Sequence, residues 1–337
     1  MVKGRKDVAM KKRQGAIIAM ALLLFSGMVP AGTAQSQSWN FKLGTPTAPD
    51  HAYNIGAKKF AELVAQRTAG RVKIDVYPAN QLGNERDMVE GLQLGTVDLV
   101  VSSTGPLGGF VPQIFVVDLP FLFRDKQHAY KVLDGPIGKE LLDAFTPKGI
   151  RGLAFWENGF RHITDNVRPI EKPEDLRGIK IRTMENKIHL ATFKAFGASP
   201  TPMAWSEVYT ALQQKTIDAQ ENPIAVIYTS KINEVQKYLA LTGHFYSPAA
   251  LLMSEKAFAA LPEDIRKIML DTAVECANFE RNYLGDTETR QLEELKAKGM
   301  QVTTPEKKPF QDAAAPVYKE FESQFGKDMV EKILGTK

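Results

Sequence analysis

The 337-residue chain has one cysteine, Cys276, and no run of about 20 apolar residues of the kind that crosses a membrane. One cysteine excludes an internal disulfide, and five scattered histidines do not give the closely spaced ligands of a structural zinc site. The motifs G-x-G-x-x-G, the P-loop, G-x-S-x-G and H-E-x-x-H are also absent. We therefore expect no catalytic residue, no metal ligand and no cofactor.

The amino terminus has the pattern of a secretory signal peptide. A basic stretch at 1–13 precedes an apolar run at 16–29, and small residues follow up to Ala34. We predict a signal peptide over residues 1–34 with cleavage after Ala34. The alternative is a membrane anchor, for which the apolar run is too short. Export without a span or a lipid-bearing cysteine favours a Gram-negative periplasm.

The basic balance of the chain comes from this leader. Removing residues 1–34 takes away six basic residues and one acidic residue, which leaves 37 basic and 38 acidic residues. The formal net charge then falls from +4 to −1, so the sequence pI of about 8.9 does not describe the folded part. A near-neutral chain gives no support to nucleic-acid or membrane-surface binding, and we expect no nucleic-acid partner.

Residues 178–223 have the pattern of an α/β crossover unit. A strand is predicted at 179–182, followed by two helices separated by a proline-containing loop and by a second strand at 216–221. Ligands of such sheets bind beyond the carboxyl ends of the strands. Arg182 and Asn222 stand at these two ends, so we expect the functional site there.

Two further patterns predict a two-lobed chain with a long helix. Residues 92–98 resemble 212–218, each as the last turn of a helix that enters a strand, which favours two similarly built α/β lobes. Residues 263–298 contain no proline and predict a helix about 50 Å long. A helix of this length is expected to run along both lobes.

Arg161 and Arg182 are the candidate binding residues, because each is flanked by apolar or aromatic residues near a predicted strand end. A desolvated guanidinium needs a partner, and a ligand carboxylate matches its fork with two parallel hydrogen bonds. A solvated surface position or an internal ion pair is the alternative. The residues alone leave these possibilities open.

Over residues 39–334 the chain resembles the extracytoplasmic solute-binding subunits of TRAP transporters, the DctP-type family. The resemblance is carried by YPANQLGNERDM, DLPFLF, ENGFRHIT, GIKIRT, GASPTPMAWSEVYTALQQKTIDAQENP and EVQKYL. It implies an α/β, two-lobed periplasmic binding protein fold with a long lobe-spanning helix that closes around an anionic ligand. The implied lobes interleave, with residues 35–158 plus 247–286 in lobe I and residues 159–246 plus 287–337 in lobe II.

The resemblance also implies the ligand-binding residues. Arg182 forms the main ion pair with the ligand carboxylate, Arg161 makes a second contact, and Asn222 hydrogen-bonds the same region. Trp205, where many relatives have phenylalanine, forms a wall of the pocket. Positions that vary with ligand class are occupied by Ser103 and His51.

The loop Ser103-Thr104-Gly105-Pro106 lacks the acidic residue and the arginine that sialic-acid members carry. The implied ligand is therefore a C4-dicarboxylate, a hydroxy or keto acid, or a sugar acid. The implied protein is a monomeric periplasmic receptor, not an enzyme, that delivers the acid to the TRAP membrane permease. The alternatives are an exported enzyme, with His162 or Glu157 as the nearest acid or base, and a ligand receptor for a sensor.

Overall fold

The structure is a computed structural model that describes residues 37–337, so the predicted signal peptide lies outside the described residues. In this part of the chain nine strands join in one sheet, in the order β2-β1-β3-β8-β4-β7-β5-β6, with β9 beside β8. The strands are β1 (Trp39–Gly44), β2 (Val72–Tyr77), β3 (Leu99–Ser103), β4 (Ile150–Asp165), β5 (Lys180–Thr183), β6 (Ser199–Pro202), β7 (Ala219–Asn222), β8 (Tyr238–Ser254) and β9 (Gln301–Thr303).

The helices cover the faces of this sheet, and four short 3-10 turns lie between them in the described residues. The α-helices are α1 (Ala52–Arg67), α2 (Glu85–Leu94), α3 (Thr104–Leu107), α4 (Lys126–Leu133), α5 (Pro136–Asp143), α6 (Lys187–Ala195), α7 (Trp205–Gln213), α8 (Ile224–Thr229), α9 (Glu255–Ala259), α10 (Glu263–Ala297), α11 (Lys307–Phe325) and α12 (Lys327–Gly335). None of those described is both long and apolar enough to cross a bilayer.

The long antiparallel strands β4 and β8 connect the two halves of the sheet, β1–β3 and β5–β7. Their register shifts between Glu157 and Gly159, which makes Asn158 the extra residue of a β-bulge. Gly159 has a φ of 118°, a conformation that side-chain-bearing residues rarely adopt. The bulge redirects the backbone at the point where the two halves meet.

The predicted crossover unit is present, with strands at Lys180–Thr183 and Ala219–Asn222. The prediction of a proline-containing loop between its helices was wrong in part, because Ser199–Pro202 pairs with β5 as a parallel strand. The two prolines of β6 lack backbone N–H donors, and the structure tolerates them because β6 ends the sheet order.

The predicted long helix is confirmed as α10, which runs for 35 residues without interruption. Near its start, Met269, Ala273 and Cys276 pack in a cluster with residues of the first half of the sheet. Near its end, Leu295 packs in a cluster with residues of α7 and α8. This one helix therefore buries side chains against both halves.

Two glycine substitutions test the helix packing. A Cβ added at Gly138 in α5 would lie 1.7 Å from the carbonyl oxygen of Leu133, and a backbone atom moves less readily than a flexible side chain. We expect Gly138→Ala to destabilise the fold by about 2–3 kcal/mol.

At Gly285 in α10 nothing lies within 4 Å of the added Cβ. Gly285→Ala should therefore stabilise the fold by about 0.5–1 kcal/mol. Urea unfolding measures both, and an unchanged midpoint for Gly138→Ala would contradict this packing.

Candidate functional site

A narrow crevice, with a cavity volume of about 20 Å³, lies at the ends of β3, β5 and β7 and beside the bulge of β4. Four of the sequence-predicted site residues line it: Arg182, Asn222, Trp205 and Ser103. A groove of about 740 Å³ beside α11 and α12 is larger, but its charged residues, such as Lys319 and Glu331, are exposed to solvent. The smaller crevice is the candidate site, because it contains a buried charge without a counter-ion.

That charge is the guanidinium of Arg182, which is only 2% exposed. Its Nε donates a hydrogen bond to the carbonyl oxygen of Met203 at 2.9 Å, and its Cζ lies 5.5 Å from the centre of the Trp205 ring. No carboxylate in residues 37–337 forms an ion pair with it. Burial lowers the pKa of Arg182 to about 10, so the group remains cationic at neutral pH. Its two terminal nitrogens are available to an anion.

Arg161 is equally buried but already has an internal partner. Its Nε and Nη2 donate to the two carboxylate oxygens of Glu221 at 2.5 and 2.8 Å, and His244 Nε2 lies 3.2 Å from the same carboxylate. Burial by itself would raise the pKa of Glu221, but Arg161 and His244 bring it below its ordinary value. Arg161 does not line the crevice, and only its Nη1 is buried without a partner in the described chain.

His51 also lies outside the crevice lining. Its Nδ1 accepts a hydrogen bond from the backbone N–H of Tyr53 at 3.2 Å and so caps the first turn of α1. Burial lowers the pKa of His51 to about 3, so the ring is neutral. Asn222 does line the crevice, and its Nδ2 donates to Gln220 Oε1 at 2.7 Å.

Sequence reasoning missed four polar residues of the crevice, Thr47, Tyr53, Glu85 and Asn158. Glu85 is the first residue of α2, directly after the capping residue Asn84, whose side chain accepts from the backbone N–H of Asp87. An asparagine followed by an acidic residue at the third helical position is a recognisable helix start, and it could have located Glu85 at the crevice end of α2. The position of Asn158 in the crevice depends on the β4 bulge. The only indication of this bulge in the sequence is the glycine that follows Asn158.

Beside the crevice, the buried carboxylate of Asp118 joins two segments that face each other. Thr104 Oγ1 donates to one oxygen at 2.8 Å, and Asn186 Nδ2 donates to the other at 2.7 Å. The same Nδ2 lies 3.1 Å from the carbonyl oxygen of Gly105, while Asn186 Oδ1 caps α6. Burial raises the pKa of Asp118 to about 7 despite these donors.

The structure of residues 37–337 gives no support to a metal site or to the two predicted acid or base residues. No group of three or more His, Cys, Asp or Glu side chains in this range is placed to hold a metal ion. The two candidates for an acid or base do not line the crevice. His162 Nδ1 accepts from the N–H of Gly243, and burial lowers the pKa of His162 to about 3. Glu157 Oε2 accepts from the hydroxyl of Tyr130.

An α/β sheet in two halves, joined by long strands and enclosing a buried unpaired guanidinium, defines a class of protein: a binding protein for a small anion. The family model described as bacterial extracellular solute-binding protein, family 7 (DctP) matches residues 43–324. The chain belongs to this family, whose members are the extracytoplasmic binding proteins of TRAP transporters and are not enzymes.

Relatives and solved structures agree with this assignment. The 2,3-diketo-L-gulonate-binding periplasmic protein of Escherichia coli is 38% identical over 292 residues, which are 86% of this chain and 89% of that protein. A TRAP periplasmic solute-binding protein from Polaromonas, bound to D-erythronate, is 46% identical with a TM-score of 0.88, covering 89% of this chain and 99% of the other. The sugar-acid-binding protein of Advenella mimigardefordensis, in complex with galactonate, is 35% identical with a TM-score of 0.86, covering 89% and 98%.

The predicted fold class, α/β and two-lobed with a long helix, is confirmed by these matches and by α10. The lobe boundaries stay a prediction. The boundary expected between residues 158 and 159 falls within the β4 bulge, where a change of direction between the halves would be absorbed by Gly159.

The raised pKa of Asp118 predicts a pH-dependent stability difference. The folded form keeps a proton on Asp118 up to a pH of about 7, whereas the unfolded chain releases it near the ordinary aspartate pKa of 3.8. This contribution to stability is complete below the unfolded pKa and is lost as the pH rises through the folded one. Relative to wild type, Asp118→Asn should therefore be more stable at pH 8 than at pH 5. Thermal unfolding of both proteins at both pH values measures this, and an equal stability difference at pH 5 and pH 8 would contradict it.

Proposed function

We propose that this protein is the periplasmic receptor of a TRAP transporter, which captures a small organic acid through an ion pair with Arg182 and delivers it to the membrane permease. The observation that carries the proposal is the burial of Arg182 without a counter-ion in a polar crevice. Leaving a buried charge unpaired costs several kcal/mol. A ligand carboxylate removes this cost by supplying the missing partner.

The geometry of Arg182 favours a carboxylate over other anions. Because Nε is fixed by the carbonyl oxygen of Met203, the two terminal nitrogens are held on one side of the group. A planar guanidinium edge binds a carboxylate through two parallel hydrogen bonds. The Trp205 ring lies over the guanidinium, and the burial of Arg182 strengthens an ion pair because the surroundings have a low dielectric constant.

The other candidate residues take supporting roles in this proposal. Asn222 and Ser103 line the crevice. Arg161 lies outside this lining, but its buried Nη1 has no partner in the described chain, and we assign it a second contact with the ligand. His51 positions α1 through its cap rather than touching the ligand. The receptor is exported by the signal peptide of residues 1–34, acts as a monomer and closes around its ligand by movement of the two lobes.

Arg182 variants test the proposal. A thermal-shift screen of small organic acids first identifies a ligand, since a ligand at 100 times its Kd stabilises a protein by about 2.7 kcal/mol. By calorimetry, Arg182→Ala should weaken its binding by at least about 100-fold, because the carboxylate loses its desolvated partner. Arg182→Lys should recover little, because an ammonium group lacks the fork.

The matched control is Arg151→Ala, which removes an arginine paired with Glu255 outside the crevice. It should bind the acid as wild type does. Delivery to the permease is a separate question, answered by reconstituting both partners in vesicles and measuring uptake of the labelled acid. If Arg182→Ala keeps an affinity within about threefold of wild type, the site is wrong.

A further inference from the structure

The end of β3 and the turn after β5 lie against each other beside the crevice. Ser103 Oγ donates to Met184 Sδ at 3.4 Å, and a Cβ added at Gly105 would lie 2.5 Å from Cε of the same methionine. In the proposed division of lobes, residues 103–105 belong to lobe I, whereas Met184 belongs to lobe II. The protein therefore makes part of the contact between the lobes with its own side chains.

Asn186 and Asp118 form the polar part of this contact. Asn186 Nδ2 donates to Asp118 Oδ2 at 2.7 Å and to the carbonyl oxygen of Gly105 at 3.1 Å. The other carboxylate oxygen of Asp118 accepts from Thr104 Oγ1 at 2.8 Å, while Asn186 Oδ1 caps α6. Asp118, Gly105 and Thr104 lie in the proposed lobe I and Asn186 in lobe II, so Nδ2 is the one group that bonds across the boundary here.

The surroundings make this hydrogen bond stronger than an exposed one. Asp118 and Asn186 are each only 1% exposed, so water does not compete for the donor or for the acceptor. A charged acceptor forms a stronger hydrogen bond than a neutral one. Separation of the lobes would break the contact and return both groups to water.

The contact lies close to the anchor in the chain but outside the crevice. Asn186 follows Arg182 by four residues, in the turn between β5 and α6. Neither Asn186 nor Asp118 lines the crevice. A contact that is made only in the closed form stabilises that form equally, whichever ligand is bound.

We propose that the Asp118–Asn186 hydrogen bond holds the two lobes together in the closed form and strengthens the binding of every acid by the same factor. The inference rests on the proposed function, because it requires lobes that separate and close around a ligand. Asp118 and Asn186 are positioning residues in this proposal. The choice between acids belongs to the crevice, whereas the Asp118–Asn186 contact sets how readily the lobes close.

Asn186→Ser is the first test, because serine still caps α6 but is too short to reach Asp118. Calorimetry with D-erythronate and galactonate, the acids bound by the two similar receptors, should show about 10- to 100-fold weaker binding. Both acids should lose the same factor to within about threefold, whereas loss of a direct ligand contact would affect them differently. The matched control is Asn84→Ser at the cap of α2, which should bind both acids as wild type does.

Exchange of the two partners is the second test, at pH 8, which lies above the Asp118 pKa of about 7. Asn186→Asp keeps the cap but places a second carboxylate against Asp118, so it should weaken both acids by about 100-fold. Asp118→Asn alone should weaken them less, because its amide oxygen still accepts from Asn186. The double variant restores one donor and one carboxylate, and it should bind at least about tenfold more tightly than Asn186→Asp.

The closed fraction is measured directly by electron–electron resonance distances between two spin labels. Lys58→Cys in lobe I and Lys194→Cys in lobe II supply exposed attachment sites, and the buried Cys276 is not labelled. At each concentration of the two acids, starting from zero, Asn186→Asp should show a smaller closed fraction than wild type, and the double variant should recover part of it. The proposal is overturned if Asn186→Asp matches wild type at every concentration, or if the double variant recovers nothing.

The two proposals fail in different ways. Arg182→Ala should abolish closure in response to acid, whereas Asn186→Ser should keep it and only require more acid. Loss of the response in Arg182→Ala together with wild-type behaviour in Asn186→Ser overturns the role of Asn186 and keeps the anchor. A wild-type response in Arg182→Ala with a weakened one in Asn186→Ser does the reverse. Thermal unfolding of each variant, recorded without ligand, separates loss of closure from loss of folding.

Discussion

The structure depends on a single unfavourable arrangement, a guanidinium removed from water without an anion beside it. Arg182 is held in this state by its strand, by a backbone carbonyl and by the Trp205 ring, none of which neutralises the charge. The lowered pKa of Arg182, about 10, reflects this cost, because burial disfavours the charged form. In the proposed function this cost is met during folding, so that a carboxylate would bind an anchor that needs no further reorganisation.

Arg161 shows what the same side chain does when the chain provides its partner. The Glu221 carboxylate binds it in a two-point contact, and His244 Nε2 lies 3.2 Å from the same carboxylate. Such a pair satisfies its own charge and does not require a ligand. The pair also has a structural effect, because it links β4 to the end of β7, the strand that carries Asn222. The two buried arginines of this sheet therefore differ in their partners. Glu221 occupies the fork of Arg161, whereas the terminal nitrogens of Arg182 are available to an anion.

Short-range sequence patterns were sufficient to predict single elements of the fold, namely two strand ends and the long helix. The strand ends at Arg182 and Asn222 and the helix of residues 263–298 follow from periodicity and from the absence of proline, and the structure places them within a few residues. A strand was expected to end near Arg161, but β4 continues to Asp165. The full lengths of β4 and β8 were not predicted, because β8 is buried on both faces and the bulges of β4 interrupt the alternation of apolar and polar residues. No sequence pattern reveals which of two arginines meets a glutamate 60 positions away.

The crevice residues come from both parts of the chain. In the proposed division of lobes, Ser103 and Asn158 belong to lobe I, whereas Arg182 and Asn222 belong to lobe II. A ligand that touched Arg182 alone would bind open and closed forms equally, and equal affinity shifts no conformational equilibrium. In the proposed function, a ligand whose carboxylate pairs with Arg182 and whose other end contacts lobe I makes both sets of contacts only when the lobes are together, and binding is then coupled to closure.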